Sequence, residues 1–384
     1  MAFDIPLNIR NVILPPGNLS PHRLIHFRTP TNTLPIISSN NPHVLSRTVS
    51  NIVNANSAMV VLAFDVPQPE DLKQLKSIAL EGASTGFISL DYPTPQGSML
   101  KIPFWVLTYW EELPRVCKGK DEWRGAIEWL RKEHAYDALR LLEEASWDVY
   151  LPMCRGSTTL DLIQFCSTSW LSLRHIDIMG AVVNDKLQQN GTTLMVFGDS
   201  LHIDKLITVY RYGREGYLVD KSSAFLRELS EDLKFCNYTH IGFCISVYID
   251  SNEAVLPGPA HEHGNHWTAV VIDALDQQIF YGDPMKFPPP DELIGALRWW
   301  LQVHINDNLF RVQELPCAEQ QDVFSCSIIS INAIAHLFHP NTFPLLQNAH
   351  DAMRMRMDYF TGSVELAKRL VRQLWYICKP NIAD

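Results

Sequence analysis

The C-terminal half of the sequence predicts an α+β fold: a central, mainly antiparallel sheet with flanking helices. Three observations carry this. HWTAVVIDALDQQIFYGDP (266–284) is two apolar runs parted at 274–277, the pattern of a strand, a turn and a second strand. PDELIGALRWWLQVHIND (290–307) is an amphipathic helix pattern with Asp291 near its start. From Cys326 the text CSIISINAIAHLF keeps an apolar helical pattern.

The other elements follow along the chain. Residues 14–45 are rich in Pro, Asn, Ser and Thr and predict an extended segment. AMVVLAFDV (58–66) predicts a buried strand, and PEDLKQLKSIALEG (69–82) a short helix with Pro69 near its start and Gly82 at its stop. MLKIPFWVLTYWEEL (99–113) is strongly apolar and aromatic. Residues 121–147 have helical periodicity, with Trp123, Ile127, Leu130, Ala138, Leu141 and Leu142 recurring on one face. The boundary is expected near LPMCRGS (151–157). That leaves 1–155 as an N-terminal α/β accessory region and 156–384 as the second domain. The second domain continues with a helix over 170–191 stopping at Asn190-Gly191, a helix in SSAFLRELSEDLKF, a strand over 240–250 and a strand over 310–316.

Bulk properties narrow the class. The 384 residues are 46% hydrophobic and 19% charged, an ordinary globular balance. No apolar run approaches the roughly 18–20 residues of a membrane span. The N-terminal text lacks a basic region and a long apolar core, so a cytoplasmic or nuclear location is expected, not secretion. The net charge is −10, and it is lopsided. Residues 1–155 carry 15 basic and 16 acidic side chains, whereas 156–384 carry 17 and 26. An acidic second half argues against nucleic acid as the main partner. It suits a partner with a basic face, or solubility alone. The eight cysteines include no CxxC pair, so neither a structural zinc nor a disulfide framework is expected. No cofactor is expected.

Chemistry concentrates in four residues of the second half: His266, Asp283, Gln320 and Cys326. Cys326 precedes a helical pattern, where the dipole and unpaired amides favour a thiolate. His266 stands at the start of a strand, where an imidazole can face a cleft. Asp283 ends the next strand, and neighbouring strands bring side chains within about 5 Å. Gln320, six positions before Cys326, has an amide able to donate to an oxyanion. Each has a structural alternative: a core cysteine, a turn aspartate in Gly-Asp-Pro, a solvated loop glutamine. HEHGNH (261–266) also raises metal binding, but its histidines sit on a Gly-containing loop without helical i, i+4 spacing.

In order and spacing the four residues resemble the ubiquitin-like-protein-specific cysteine proteases, the Ulp/SENP family that processes SUMO and its relatives. His-Trp, then Asp 17 residues on, then Gln six residues before Cys is that family's arrangement, and WLSLRHIDIMGAVV from Trp170 resembles its WLxDxxI helix motif. The resemblance covers roughly 156–384. It implies a papain-like fold of the Ulp type. It implies Cys326 as nucleophile, His266 as base and then acid, Asp283 as its orienter, and Gln320 in the oxyanion hole. It further implies Trp170 and Trp267 as the walls of a tunnel for a Gly-Gly tail, although core packing suits both tryptophans too. The implied partner is a ubiquitin-like protein with its conjugates, SUMO first and ubiquitin or another modifier second. The sequence departs from the family at Ser325-Cys326-Ser327, where DCG is usual, and at Leu173, where an acid is common. These changes keep open a catalytically weak, modifier-binding module. An acetyltransferase is a third class, disfavoured because Asp283 stands where such enzymes generally have Glu.

Overall fold

The computed structural model describes residues 3–30, 49–50, 53, 66–93, 99–192, 194–249, 255–257, 264–305 and 310–377. The chain divides into two compact units, Met1–Glu128 with Leu142–Val149, and Trp129–Leu141 with Tyr150–Asp384. No helix among the described residues is long and apolar enough to cross a membrane.

The first unit holds helices α1 (Leu7–Ile13), α2 (Pro21–Ile25) and α3 (Pro69–Ser84) and an antiparallel sheet of β1 (Val49–Ser50), β2 (Ser89–Pro93) and β3 (Met99–Pro103). Pro69 opens α3, where its missing N–H costs no hydrogen bond. The apolar stretch 99–113 splits at Pro103, strand before it and helix α4 (Trp105–Lys132) after it. Helix α5 (Tyr136–Glu144) follows, and the units divide within α4 and α5. Residues 31–45 of the extended segment, and 58–65 of the expected strand, lie outside the described residues.

The second unit runs α6 (Thr159–Leu162), α7 (Leu173–Gln189), β4 (Met195–Phe197), α8 (Ser200–Tyr212), α9 (Ala224–Lys234), β5 (His240–Ile249), β6 (Val255–Pro257), β7 (His266–Asp273), β8 (Gln278–Gly282), α10 (Asp291–Ile305), β9 (Arg311–Glu314), α11 (Cys326–Phe338) and α12 (Ala349–Ile377). Its sheet has the order β4-β5-β7-β8-β9, with β6 paired to β5. The central pairs β5–β7 and β7–β8 are antiparallel, and the outer strands β4 and β9 join parallel. The expected α+β architecture is therefore present, with parallel margins on an antiparallel centre.

The sequence explains this arrangement. All eight residues of β7 are buried, which is why HWTAVVID reads as a continuous run instead of an alternating one. Strand β5 splits its faces by period two. Ile241, Phe243, Ile245 and Val247 join a core with α8, α9 and α10. On the opposite face, a Cβ at Gly242 would come within 2.3 Å of Ile334 in α11. Glycine there lets α11 lie directly on the sheet. The Ser330 hydroxyl donates to the Trp267 carbonyl at 3.0 Å and fastens the helix to β7. The β7–β8 turn is closed by Asp273, whose carboxylate accepts the N–H groups of Leu275 and Asp276. Helix α7 starts three residues later than expected because Ser172 and His175 form its cap. Trp170 thus precedes the helix and is not part of it. At the other end Asn190 and Gly191, at φ +75°, stop the helix where expected.

Candidate active site

The chain enters β7 pressed against β5. A Cβ at Gly264 would fall 1.6 Å from the Ser246 hydroxyl oxygen, so no side chain fits there. Asn265 then extends the ladder with its side chain, donating to the Ile249 carbonyl at 2.9 Å and accepting the Ile249 N–H at 2.8 Å. His266 follows with its backbone fixed on both sides.

Asp283 leaves β8 one residue after Gly282, which pairs with Ala269. The register sets its carboxylate against the start of β7, and His266 Nε2 lies 2.9 Å from Asp283 Oδ1. The same oxygen accepts the Met285 N–H at 2.6 Å, and the Tyr281 hydroxyl donates to Oδ2 at 3.2 Å. Three donors thus hold a carboxylate whose side chain is 1% exposed. With Nε2 held by Asp283, Nδ1 is the imidazole's remaining nitrogen, and the Cys326 thiol is near enough to bear on the ring's charge. Burial alone would discharge this imidazole. Asp283 and Cys326 outweigh it and push the His266 pKa up to about 9.

Cys326 is the first residue of α11 and is 1% exposed. Its sulfur sits where the first helical amides lack intrahelical acceptors, an environment that favours an anion. Behind it, on β5, burial holds the Cys244 thiol neutral. The approach to the helix is folded around Asp322, whose carboxylate accepts the N–H groups of Phe324 and Ser325 and the Ser325 hydroxyl. Ser327 is buried, and its hydroxyl has no partner.

Gln320 is tied to the Asp283 loop by its backbone, its N–H donating to the Pro284 carbonyl at 2.8 Å. Lys286 adds a second tie, from Nζ to the Cys317 carbonyl at 3.0 Å. The Gln320 side-chain nitrogen donates to the Asp322 carbonyl at 2.6 Å, which fixes the orientation of the amide. One N–H of that amide remains to serve another acceptor.

Trp170 and Trp267 are brought together as a stacked pair, centroids 5.4 Å apart and planes at 18°. Trp267 is fully buried and donates from its indole to the Leu171 carbonyl at 2.8 Å. Trp170 is half-buried. All six residues singled out in the sequence belong to the second unit. Tyr281 and Asp322 were not singled out. Tyr281 stands two positions before Asp283, the same-face spacing of a strand, and that signal could have found it. His261 and His263 of the metal alternative lie outside the described residues. Among the described residues, no group of three His, Cys, Asp or Glu is placed to hold a metal ion.

Residues 252–363, which contain His266, Asp283, Gln320 and Cys326, match the model of the Ulp1 protease family, C-terminal catalytic domain. This part of the chain resembles an Ulp1-family catalytic domain. The protein is accordingly a cysteine-type peptidase of the class that acts on ubiquitin-like modifiers. No curated protein matches the chain. Among solved structures, similarity extends to the C-terminal Ulp1 protease domain in complex with Smt3, the yeast orthologue of SUMO, at 17% identity, 60% of this chain, 94% of that chain and a TM-score of 0.43. A SUMO protease Ulp1 with its catalytic cysteine oxidised to a sulfinic acid is similar at 17% identity, 60% and 94% coverage and a TM-score of 0.44. The Xanthomonas campestris effector XopD, solved bound to ubiquitin, is similar at 19% identity, 50% and 91% coverage and a TM-score of 0.33.

Proposed function

We propose that the chain cleaves after the C-terminal Gly-Gly of a ubiquitin-like modifier, SUMO in the first instance, through an acyl-enzyme on Cys326. The observation that carries this is the buried pair of Asp283 and His266 at 2.9 Å, with Cys326 at the helix start near enough to bear on the imidazole's charge. Cys326 would attack the glycine carbonyl as a thiolate, while His266 gives its proton to the leaving amine. Water, deprotonated by His266, would then release the modifier's carboxylate and restore the thiol site. The second Gln320 N–H and the Cys326 backbone N–H would receive the oxyanion. For the modifier tail to pass between Trp170 and Trp267, the stacked rings would have to part.

The acidic character of the second half supports a modifier with a basic face. SUMO and ubiquitin are separated by experiment. The purified chain is incubated with a panel of ubiquitin-like proteins carrying a C-terminal propargylamide warhead, with Cys326→Ala as control. A mass shift with SUMO that vanishes in the variant is expected. An adduct with ubiquitin alone would move the substrate to the alternative modifier. Binding of a modifier without any adduct would replace the protease by a binding module.

A further inference from the structure

The helix that opens with Cys326 starts without a side-chain cap. Ser325 holds the N-cap position of α11, where a serine hydroxyl ordinarily accepts an N–H of the first turn, yet it makes no cap bond. The hydroxyl is turned the other way and donates to Asp322 Oδ2 at 2.7 Å. Ser325 is buried, so its hydroxyl has no solvent to turn to, and the choice lies between Asp322 and the helix. A bond to a carboxylate is the stronger kind, and it wins the hydroxyl. The hydroxyl of Ser327, the second residue of α11, has no partner, so it does not close the first turn instead.

The rest of Asp322 is equally committed. Oδ1 accepts the Phe324 N–H at 2.9 Å and the Ser325 N–H at 2.7 Å, which closes the turn into the helix. The backbone carbonyl accepts the Gln320 side-chain N–H at 2.6 Å. Gln320 Oε1 is buried without a partner, so that bond is what holds the amide. A turn-forming aspartate needs only Oδ1, and Oδ2 is spent on the Ser325 hydroxyl. Ser325 stands where the family usually has Asp, so this loop draws its carboxylate from three residues upstream.

We propose that Asp322 is a positioning residue for the peptidase reaction: it withdraws the Ser325 hydroxyl from α11, which leaves the first-turn amides open to the anions formed at Cys326, and it holds the Gln320 amide in place. The inference rests on Cys326 being the nucleophile. The reaction forms a thiolate and then an oxyanion at this helix start, and amides already given to a cap have less to offer either. Asp322 acts through Ser325 and Gln320 and does not itself touch the modifier.

The test is steady-state cleavage, by the full chain, of a SUMO C-terminal aminomethylcoumarin amide, or of the ubiquitin amide if ubiquitin is the modifier captured. Asp322→Asn keeps an oxygen for the two N–H groups and puts a donor where Oδ2 accepted the hydroxyl. The released Ser325 hydroxyl then caps the helix, and kcat is expected to fall by about fivefold with KM unchanged. Adding Ser325→Ala to Asp322→Asn removes that cap, and kcat is expected to return to within about twofold of wild type. A loss that the second change leaves in place or deepens overturns the proposal, as does a folded Asp322→Asn protein with wild-type kcat. If Asp322→Asn does not fold, Ser325→Ala alone decides: with no hydroxyl left to claim the amides, kcat is expected to stay within about twofold of wild type, and a fall of about fivefold overturns the proposal. A wild-type chain that takes no warhead and releases no coumarin would instead sink the nucleophile assignment itself. Wild-type turnover that Asp322→Asn leaves intact sinks only the role of Asp322.

Discussion

Two histidine–aspartate pairs bracket strand β7, one at each end, and they differ in what lies beyond the imidazole. At the start of β7, His266 meets Asp283 at 2.9 Å. At its end, Asp273 meets His240 of β5 at 3.2 Å, across a register pair of the sheet. Helix α11 has an end at each. Its first residue, Cys326, bears on the charge of His266, and its last, Phe338, lies 6.3 Å from the His240 ring, nearly edge-on. The remaining nitrogen of His240, Nδ1, is within 2.9 Å of the neighbouring Thr239 hydroxyl. A carboxylate and an imidazole are thus not sufficient for chemistry. The third partner decides: a thiol at a helix start makes one pair a candidate relay, and a phenyl ring at a helix end leaves the other a strut.

The comparison breaks most sharply at Asp283. Asp283→Asn keeps the shape and removes the charge, and kcat/KM toward a modifier fusion is expected to fall by about 10²–10⁴-fold. The matching change, Asp273→Asn, should leave kcat/KM within about twofold. Equal losses from the two changes would erase the distinction. Next in size is Gln320→Ala, expected to cost about 10²-fold in kcat with KM little changed, because an oxyanion donor acts in the transition state. A third effect is the alkaline limb. In the proposed mechanism the His266 imidazolium is the proton donor, and its raised pKa keeps it charged until the pH climbs through about 9. Warhead capture should decline there, and Asp283→Asn should move that limb to lower pH, toward the ordinary histidine range. A limb that stays in place would detach Asp283 from His266. The smallest effect belongs to the strut. His240→Gln should lower the unfolding free energy by about 1 kcal/mol in a denaturant titration and spare activity.

Much of this geometry was legible in the text of the chain. The pattern 266–284 named both strands and the turn between them, since a run of that length with a polar break has few other ways to fold. From there the strand-end placement of His266 and Asp283 followed. The helix from Cys326 was legible because CSIISINAIAHLF has no polar face to spare. Other features were not visible. Met195–Phe197 is a three-residue strand, too short for a period, and it exists because Asn184 binds its backbone at both the N–H and the carbonyl of Phe197. Arg356 sits in AMRMRMDYF, where three basic or polar spacings look alike, and only the tertiary fold shows which arginine turns inward. The Trp170–Trp267 stack likewise joins residues nearly a hundred positions apart, and no local pattern encodes its closeness.

The close seat of α11 on Gly242 reaches beyond catalysis. Every residue from Cys326 to Ala335 is buried, so the amide protons of this helix lack a route to solvent while the sheet stands. Their exchange with deuterium should track global opening and not local fraying. The placement of Cys326 would then be lost only when the domain itself is lost, and activity and circular dichroism should fall along one denaturation curve. An enzyme built this way ages as a population of whole and broken molecules, without a slow class of partly disarmed ones.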